Sequence, residues 1–218
     1  MNPSSDRSIG AALPGVLAAV FREEPGVGFA LVDKDGVVIY VNAKSAELFL
    51  QDTPQAALGR RLDELFGPEW AAERMRLFAG IAETGRPTIS RHIRHGKQIQ
   101  STLRLLTDLG DENPVFIVMT VEGAHDPDSP EDFDFFESEL AHLGPLNSLS
   151  PRELEVLALI GHGMTTAAIA KALHRSVRTV ERHCDAIRQK LNSANRVQVA
   201  DFARKAGLRV EDAKKKRL

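Results

Sequence analysis

An α+β domain followed by an all-α domain is the fold class that this sequence predicts, and three observations predict it. Between Gly26 and Val121, β-branched runs alternate with Asp-Gly and Gly-Lys turn signals. Within that stretch a helical middle separates two such runs from three more. From Ser148 onward the strand pattern stops and helix caps recur instead. Charge divides at the same places. Residues 1–123 hold 13 basic and 16 acidic side chains, and residues 148–218 hold 15 basic and seven acidic. Between them, residues 124–147 hold no Lys or Arg and seven acids: Asp126, Asp128, Glu131, Asp132, Asp134, Glu137 and Glu139. The overall charge of −2 therefore conceals segments of −3, −7 and +8. A basic C-terminal block in an acidic chain is the footprint of a nucleic-acid-binding module.

Composition narrows the class further. The 218 residues allow one large domain or two small ones, and 43% apolar with 27% charged residues suits a soluble globular chain. The single cysteine, Cys184, excludes an intramolecular disulfide and a multi-cysteine zinc site, which fits a reducing cytosol. The apolar stretch Ile9–Phe21 carries Pro14 and is too short to span a bilayer. It also lacks the basic run and cleavage pattern of a signal peptide. A cytoplasmic protein with no membrane partner is expected, its residues 1–23 forming an N-terminal helical segment.

The elements of the first domain follow in order. Val27–Asp33 and Val37–Asn42 read as strands joined by Lys34-Asp35-Gly36, a hairpin signal. Ala43–Leu50 and Pro68–Thr84 read as helices, the second stopped by Gly85 and Pro87. Thr88–Ile93, Gln98–Leu105 and Val115–Val121 read as three further strands, separated by His95-Gly96 and Gly110–Pro114.

The second domain reads as four short helices. Ser150, Pro151 and Glu153 form a capping box with proline at the first helical position. Leu154, Leu157 and Ile160 mark its apolar face, and Gly161 and Gly163 stop it. Thr165 or Thr166 caps the second helix, and Ser176 caps a third that runs to about Leu191. Asn195 and Gln198 form a capping box for a fourth, which ends at Gly207. A tight turn at His174–Ser176 joins the second and third in a helix-turn-helix arrangement. On the third helix Val180, Cys184, Ile187 and Leu191 share one stripe, the core face. Arg178, Glu181, Arg182, Asp185 and Gln189 gather on the other side, flanked by Thr179 and Arg188. Long hydrogen-bonding side chains on one face are what major-groove reading needs.

The run from Leu149 to Leu157, then Gly163, Ile169–Leu173, Ser176, Thr179-Val180, His183 and Ile187–Leu191 resembles the LuxR-type helix-turn-helix family over about residues 148–210. The resemblance implies binding to double-stranded DNA as a homodimer, the third helix reading bases and the fourth pairing subunits. It places Glu181, Arg182 and Asp185 at base-contacting positions. Thr166, Ser176, Arg178, Thr179, Arg188 and Lys190 complete the expected DNA-binding set, and Val199, Phe202 and Ala203 fall on the dimer helix. The sequence departs from the family at Ala167 and Ala168, usually polar, and at Glu181 and Asp185, where many relatives carry Lys. Carboxylates repel phosphate but accept from cytosine N4, so a different target sequence is expected. His183 is expected to pack rather than read bases, and Cys184 to be an inert thiol.

Gly28 to Ala43, with Leu58-Gly59-Arg60, Gly85-Arg86-Pro87 and the three closing strands, resembles a PAS domain over about residues 24–122. The resemblance implies a five-stranded antiparallel sheet with helices, and a sensing or dimerising role. It also implies an apolar cavity between sheet and middle helices where a small-molecule ligand fits. The cofactor stays unknown. Flavin is not supported, because the only cysteine lies in the other domain. Haem is not supported either, because Ala43–Leu50 and Pro68–Thr84 contain no histidine, and His92 and His95 sit at a strand end and turn.

Residues 123–147 read as an acidic helical connector. Ser129-Pro130 starts the helix, and Phe133, Phe136, Leu140 and Leu143 recur at 3-4-3 as a seam for pairing with another helix. Its negative charge beside the +8 head suggests a mask over the DNA face, to be relieved by neutralising Glu131, Asp132, Asp134, Glu137 and Glu139. Residues 211–218 read as a basic tail. The whole is expected to be a sequence-specific transcription regulator, not an enzyme, whose head is controlled by the sensor and which meets RNA polymerase. The alternatives are a PAS-type signalling or dimerisation adaptor with weak or no DNA binding, and a sigma-factor-like promoter recognition protein.

Overall fold

The computed structural model describes residues 26–106, 114–123 and 132–218. The expected N-terminal helical segment 1–23, the Ser129-Pro130 helix start and the acids Asp126, Asp128 and Glu131 lie outside the described residues. The strands are β1 (Val27–Asp33), β2 (Val38–Val41), β3 (Thr88–Arg94), β4 (Lys97–Leu106), β5 (Val115–Glu122), β6 (Asp134–Ala141) and β7 (Lys216–Arg217). The α-helices are α1 (Ala43–Leu50), α2 (Leu62–Phe66), α3 (Pro68–Thr84), α4 (Pro151–Gly161), α5 (Thr166–Ala172), α6 (Val177–Lys190) and α7 (Arg196–Ala206). The strands follow the order β2-β1-β5-β4-β3-β6-β7. Among the described residues the sheet thus has seven strands rather than the expected five. The chain divides into two compact units, residues 92–99 and 138–218 forming the second.

In the first unit, local chemistry shapes the opening hairpin. The Asp33 carboxylate accepts from the Asp35 and Val37 amides at 2.9 and 2.8 Å, which bends the chain back into β2. Asn42 then joins strand to helix. Its Oδ1 accepts from the Ser45 amide at the start of α1 and from the Phe29 amide of β1, and its Nδ2 donates to the Val27 carbonyl. β1 pairs antiparallel with β5 from Val27↔Val121 to Asp33↔Val115. A Cβ at Gly28 would stand 3.0 Å from the Ser45 backbone, so α1 lies directly on the sheet there.

The layer between sheet and helices is mixed rather than purely apolar. Phe78 stacks on Phe116 at 4.4 Å, and Trp70 packs on Phe66 at 4.5 Å. Among these rings the Arg74 guanidinium is buried, donating to Ser90 Oγ at 2.7 Å and to Glu73 at 2.9 Å. Burial pulls its pKa below the ordinary arginine value, opposed by the charge and hydrogen bond of Glu73. Ser101 and Thr120 share a second buried hydrogen bond, hydroxyl to hydroxyl, at 2.9 Å.

Within the connector, Asp134–Ala141 form a strand, not the expected helix. From Phe135 to Leu140 the exposure alternates: Phe135, Glu137 and Glu139 face out, while Phe136, Ser138 and Leu140 are covered or partly covered. A helix would have left the backbone groups at the edge of β3 without these partners; as a strand the segment satisfies them, the Asp134 amide donating to the Pro87 carbonyl at 2.9 Å. The 3-4-3 spacing is therefore no seam between helices. The Arg104 guanidinium lies over Phe133 at 4.8 Å and that of Arg74 lies 5.8 Å from Phe136, whereas Leu140 and Leu143 are buried. Two of the acids expected to mask the DNA face have partners on the sheet. Asp134 binds Arg86 at 2.9 Å and Glu137 binds Arg91, so these carboxylates are held at the sheet.

The second unit is a helical head built around one core. Leu143, Leu146, Leu149, Leu154, Leu157, Ile169, Val180, Ile187, Val199 and Ala203 are buried in it together with Ile93 from the β3–β4 hairpin. His95 and Gly96 form the hairpin's two-residue turn, both with left-handed φ (50° and 74°), the pattern of a type I′ turn. The turn is pinned by the Gly96 amide donating to the His142 carbonyl at 3.0 Å and the His142 amide donating to Ile93 at 3.1 Å. The His95 and His142 rings meet edge to face at 4.6 Å, and the His95 amide donates to His142 Nδ1. Burial, with Arg94 and His95 nearby, pulls the His142 pKa down, which preserves that acceptor.

Candidate nucleic-acid interface

The caps of the head follow the sequence. Ser150 Oγ accepts from the Glu153 amide, and Glu153 accepts in return from the Ser150 amide at 2.7 Å. Thr165, rather than Thr166, caps α5, and Ser176 caps α6. Asn195 caps α7, while the Gln198 side chain reaches the Ala194 amide rather than that of Asn195. Between α5 and α6 the chain turns at His174, whose φ of 51° lets the Arg175 amide return to the Ala170 carbonyl at 2.8 Å. Gly163, at φ 77°, turns the chain away from α4. Gly161 has a different use from the stop expected of it: a Cβ there would stand 2.9 Å from the Ala203 carbonyl, where α4 crosses α7.

α6 separates its residues as the periodicity requires. Val180 and Ile187 are fully buried, with Cys184 and Leu191 packed partly buried beside them. On the far side Ser176, Arg178, Glu181, Arg182, Asp185, Gln189 and Lys190 are exposed, and Thr166, Thr179 and Arg188 are half-buried. Burial, reinforced by Asp185 and Glu181 against Arg196, pushes the Cys184 thiol up, away from the reactive thiolate. Burial and Arg182 pull the His183 pKa down, so its half-buried ring is neutral at pH 7.

Three contacts that the sequence reading missed lock this surface in place. Lys190 binds the buried Glu153 at 2.7 Å and ties the end of α6 to the start of α4. Arg152 donates to the Leu173 carbonyl at 2.8 Å, and Arg196 donates to Thr166 Oγ1 at 2.6 Å. Helical periodicity carries no signal for any of them, because each joins elements distant in sequence. Arg188 donates to Asp185 and to the Ala194 carbonyl, both at 3.3 Å. It thereby lines a cleft of about 390 Å³ with Gln189, Asn192 and Ser193. Val199, Phe202 and Ala203 all lie on α7, the helix expected to pair subunits, and two of them are covered within the subunit itself. Val199 and Ala203 are buried in the head's own core because the stripe at i, i+4 and i+7 of α7 turns toward α4; Phe202 is half-buried and Val197 is exposed.

Glu153 gives the site a pH signature. Desolvation raises its pKa, but the hydrogen bonds from Lys190 and Ser150, with the lysine charge, outweigh it and hold the carboxyl below its usual value. A depressed carboxylate stabilises the fold above its unfolded pKa, and the contribution is lost as pH falls through the folded value. Glu153→Gln is expected to cost about 2 kcal/mol at pH 7. Its gap to wild type should close below about pH 4, measured by urea denaturation at both pH values.

Comparison with known proteins places both halves. Residues 24–121 match the PAS fold, and residues 147–203 match the luxR family of bacterial regulatory proteins. The chain thus carries a match to the PAS fold followed by a match to the luxR family of bacterial regulatory proteins. It is 44% identical over 64 residues to the oxygen regulatory protein NreC of Staphylococcus carnosus (strain TM300), covering 29% of this chain and 30% of that one. It is 40% identical over 70 residues to the transcriptional regulatory protein LiaR of Bacillus subtilis (strain 168), covering 30% and 33%. The chain therefore spans about a third of the length of these curated relatives. Among solved structures, a Vibrio cholera VqmA–ligand–DNA complex aligns at 21% identity and TM-score 0.49, covering 88% of each chain. The Vibrio cholerae VqmA dimer without target DNA aligns at 20% identity and TM-score 0.46, covering 92% of this chain and 93% of that one. Among the described residues, no helix is long and apolar enough to cross a membrane.

Proposed function

We propose that the protein is a sequence-specific, DNA-binding transcription regulator whose PAS domain controls its helix-turn-helix head. The observation that carries this reading is α6, anchored by buried Val180 and Ile187 and presenting Arg178, Glu181, Arg182, Asp185 and Gln189 from its exposed side. Such a helix fits the major groove, with Arg182 donating to guanine and Glu181 or Asp185 accepting from cytosine. Thr166, Ser176, Thr179, Arg188 and Lys190 complete the DNA surface, Lys190 as a residue already shared with Glu153. The protein works in the cytoplasm as a homodimer on a two-fold site, without enzymatic activity, and communicates with RNA polymerase. The PAS domain takes a small-molecule cue against its sheet, where Arg74 and the Ser101–Thr120 pair make the interior partly polar. Domain limits near residues 24–122 and 148–210 suit this division of labour.

Selection of bound duplexes from a random pool tests the reading. Arg182→Ala should flatten the base preference at its contact, a loss of about 1–3 kcal/mol of discrimination. Arg188→Ala should instead weaken all duplexes together and lower the slope of log affinity against log salt by about 0.9. Identical preference profiles for wild type and Arg182→Ala would reject the assignment, and an absence of salt-dependent duplex binding would favour an adaptor.

A further inference from the structure

The last ten residues carry Arg209, Lys214, Lys215, Lys216 and Arg217, a run whose charge by itself points to DNA phosphates. The structure uses two of these cations otherwise. Residues 210–214 form a 3-10 turn that is closed when Asp212 Oδ2 accepts from the Arg209 amide at 2.7 Å. Ala213 of this turn is buried in the head core. The chain then extends as β7 and pairs parallel with the end of the connector strand, Leu140↔Lys216 and Ala141↔Arg217. The Leu218 amide donates to the Ala141 carbonyl at 3.1 Å. Strand alternation sends Lys215 and Arg217 to the same side. Lys215 Nζ donates to the Ser138 carbonyl at 2.6 Å and pairs with Asp212 at 3.3 Å, and both side chains are under one-tenth exposed. Arg217 donates to the carbonyls of Asn147 and Leu149 at 3.0 and 2.8 Å, immediately before the Ser150 cap of α4.

We infer that residues 209–218 are a latch, with Lys215 and Arg217 as positioning residues rather than phosphate contacts. Lys215 grips the connector strand, Arg217 grips the entrance to α4, and β7 bridges the two. Residues 138–149, the chain that leads into the DNA-binding helices, are thereby bound to those helices as one piece. With the latch closed, a displacement of β6 is delivered to the start of α4; with it open, only the core packing of Ala141, Leu143, Leu146 and Leu149 couples them. The latch deepens the proposed control of the head and rests on that reading only for its consequence, not for its existence.

The test uses the full chain, wild type and the variants Lys215→Gln and Arg217→Gln, with a random-sequence duplex as probe. Amide hydrogen exchange should accelerate at least tenfold in each variant at Leu218, whose amide donates to Ala141 across the latch. The slope of log affinity against log salt should stay within about 0.3 of wild type, because no phosphate contact has been removed. Unchanged exchange at the Leu218 amide in both variants overturns the latch, whatever the duplex result. A slope lowered by about 0.9 per substitution assigns these cations to DNA and overturns it as well. Arg217→Gln leaves the buried Lys215–Asp212 pair intact, so it reports on the latch even if Lys215→Gln destabilises the head. Because exchange is read without DNA, failure of the latch and failure of the DNA-binding reading give separate signatures.

Discussion

Ile187→Ala should lower the stability of the head by about 3 kcal/mol and abolish detectable duplex binding, although Ile187 points away from the proposed DNA surface. The side chain is fully buried in the core that joins α4, α6 and α7. Its truncation removes transfer energy and leaves a cavity that the surrounding Leu157, Ile169 and Val180 cannot collapse into without moving α6. A helical domain of this size draws only a few kcal/mol from its core, so one such loss consumes most of the margin. Urea denaturation and duplex titration check this together. Gln189→Ala, on the exposed side of the same helix, should leave stability within about 0.5 kcal/mol. Equal stability of Ile187→Ala and wild type would refute the assigned core face.

Gly96→Ala should be the second severe change, about 3 kcal/mol, although glycine at a hairpin tip looks replaceable. Its φ of 74° strains any L side chain, and a Cβ there would stand 2.6 Å from the Leu143 carbonyl and 3.3 Å from Leu146. The tip must then lift, breaking the Gly96–His142 and His142–Ile93 backbone hydrogen bonds and withdrawing Ile93 from the core. Thermal denaturation and exchange of the Gly96 and His142 amides measure the outcome. Gly85→Ala is the matched control. It also carries positive φ, at 69°, but nothing lies within 4 Å of the added carbon, so only the conformational cost of about 1 kcal/mol remains. Equal losses at the two glycines would show that φ alone, and not packing, decides.

Much of the head was legible because its signals are local. A capping box, a left-handed turn residue and a 3.6-residue stripe each act within one helix, so Ser150, Glu153, Ser176, Val180 and Ile187 declare themselves in order. The opening hairpin is legible for the same reason, through Asp33, Gly36 and Asn42. The connector was not. Phe133, Phe136, Leu140 and Leu143 fit a helical stripe, yet Phe136, Ser138 and Leu140 also fit a two-residue alternation, and a short amphipathic segment satisfies both periods. The open edge of β3 decided between them, and an edge exists only once the sheet has formed. The burial of Val199 and Ala203 was not legible for a related reason. The fourth helix has an apolar face in either case, and only the crossing at Gly161 shows that this face is consumed within the subunit.

The amino-acid sequence by itself determined a PAS-like α+β domain, a helix-turn-helix head and the exposed face of α6, because caps, turns and periodicity depend on neighbours a few residues away. Tertiary structure alone decided that Asp134–Ala141 form a strand, that Lys190 belongs partly to Glu153 and that the basic tail grips backbone carbonyls. Those outcomes depend on unsatisfied hydrogen-bonding groups and empty volume presented by residues 37 to 77 positions distant. Such groups are placed only when the chain has folded, which is why charge counting showed residues 211–218 as no more than a basic tail and the fold turned Lys215 and Arg217 inward.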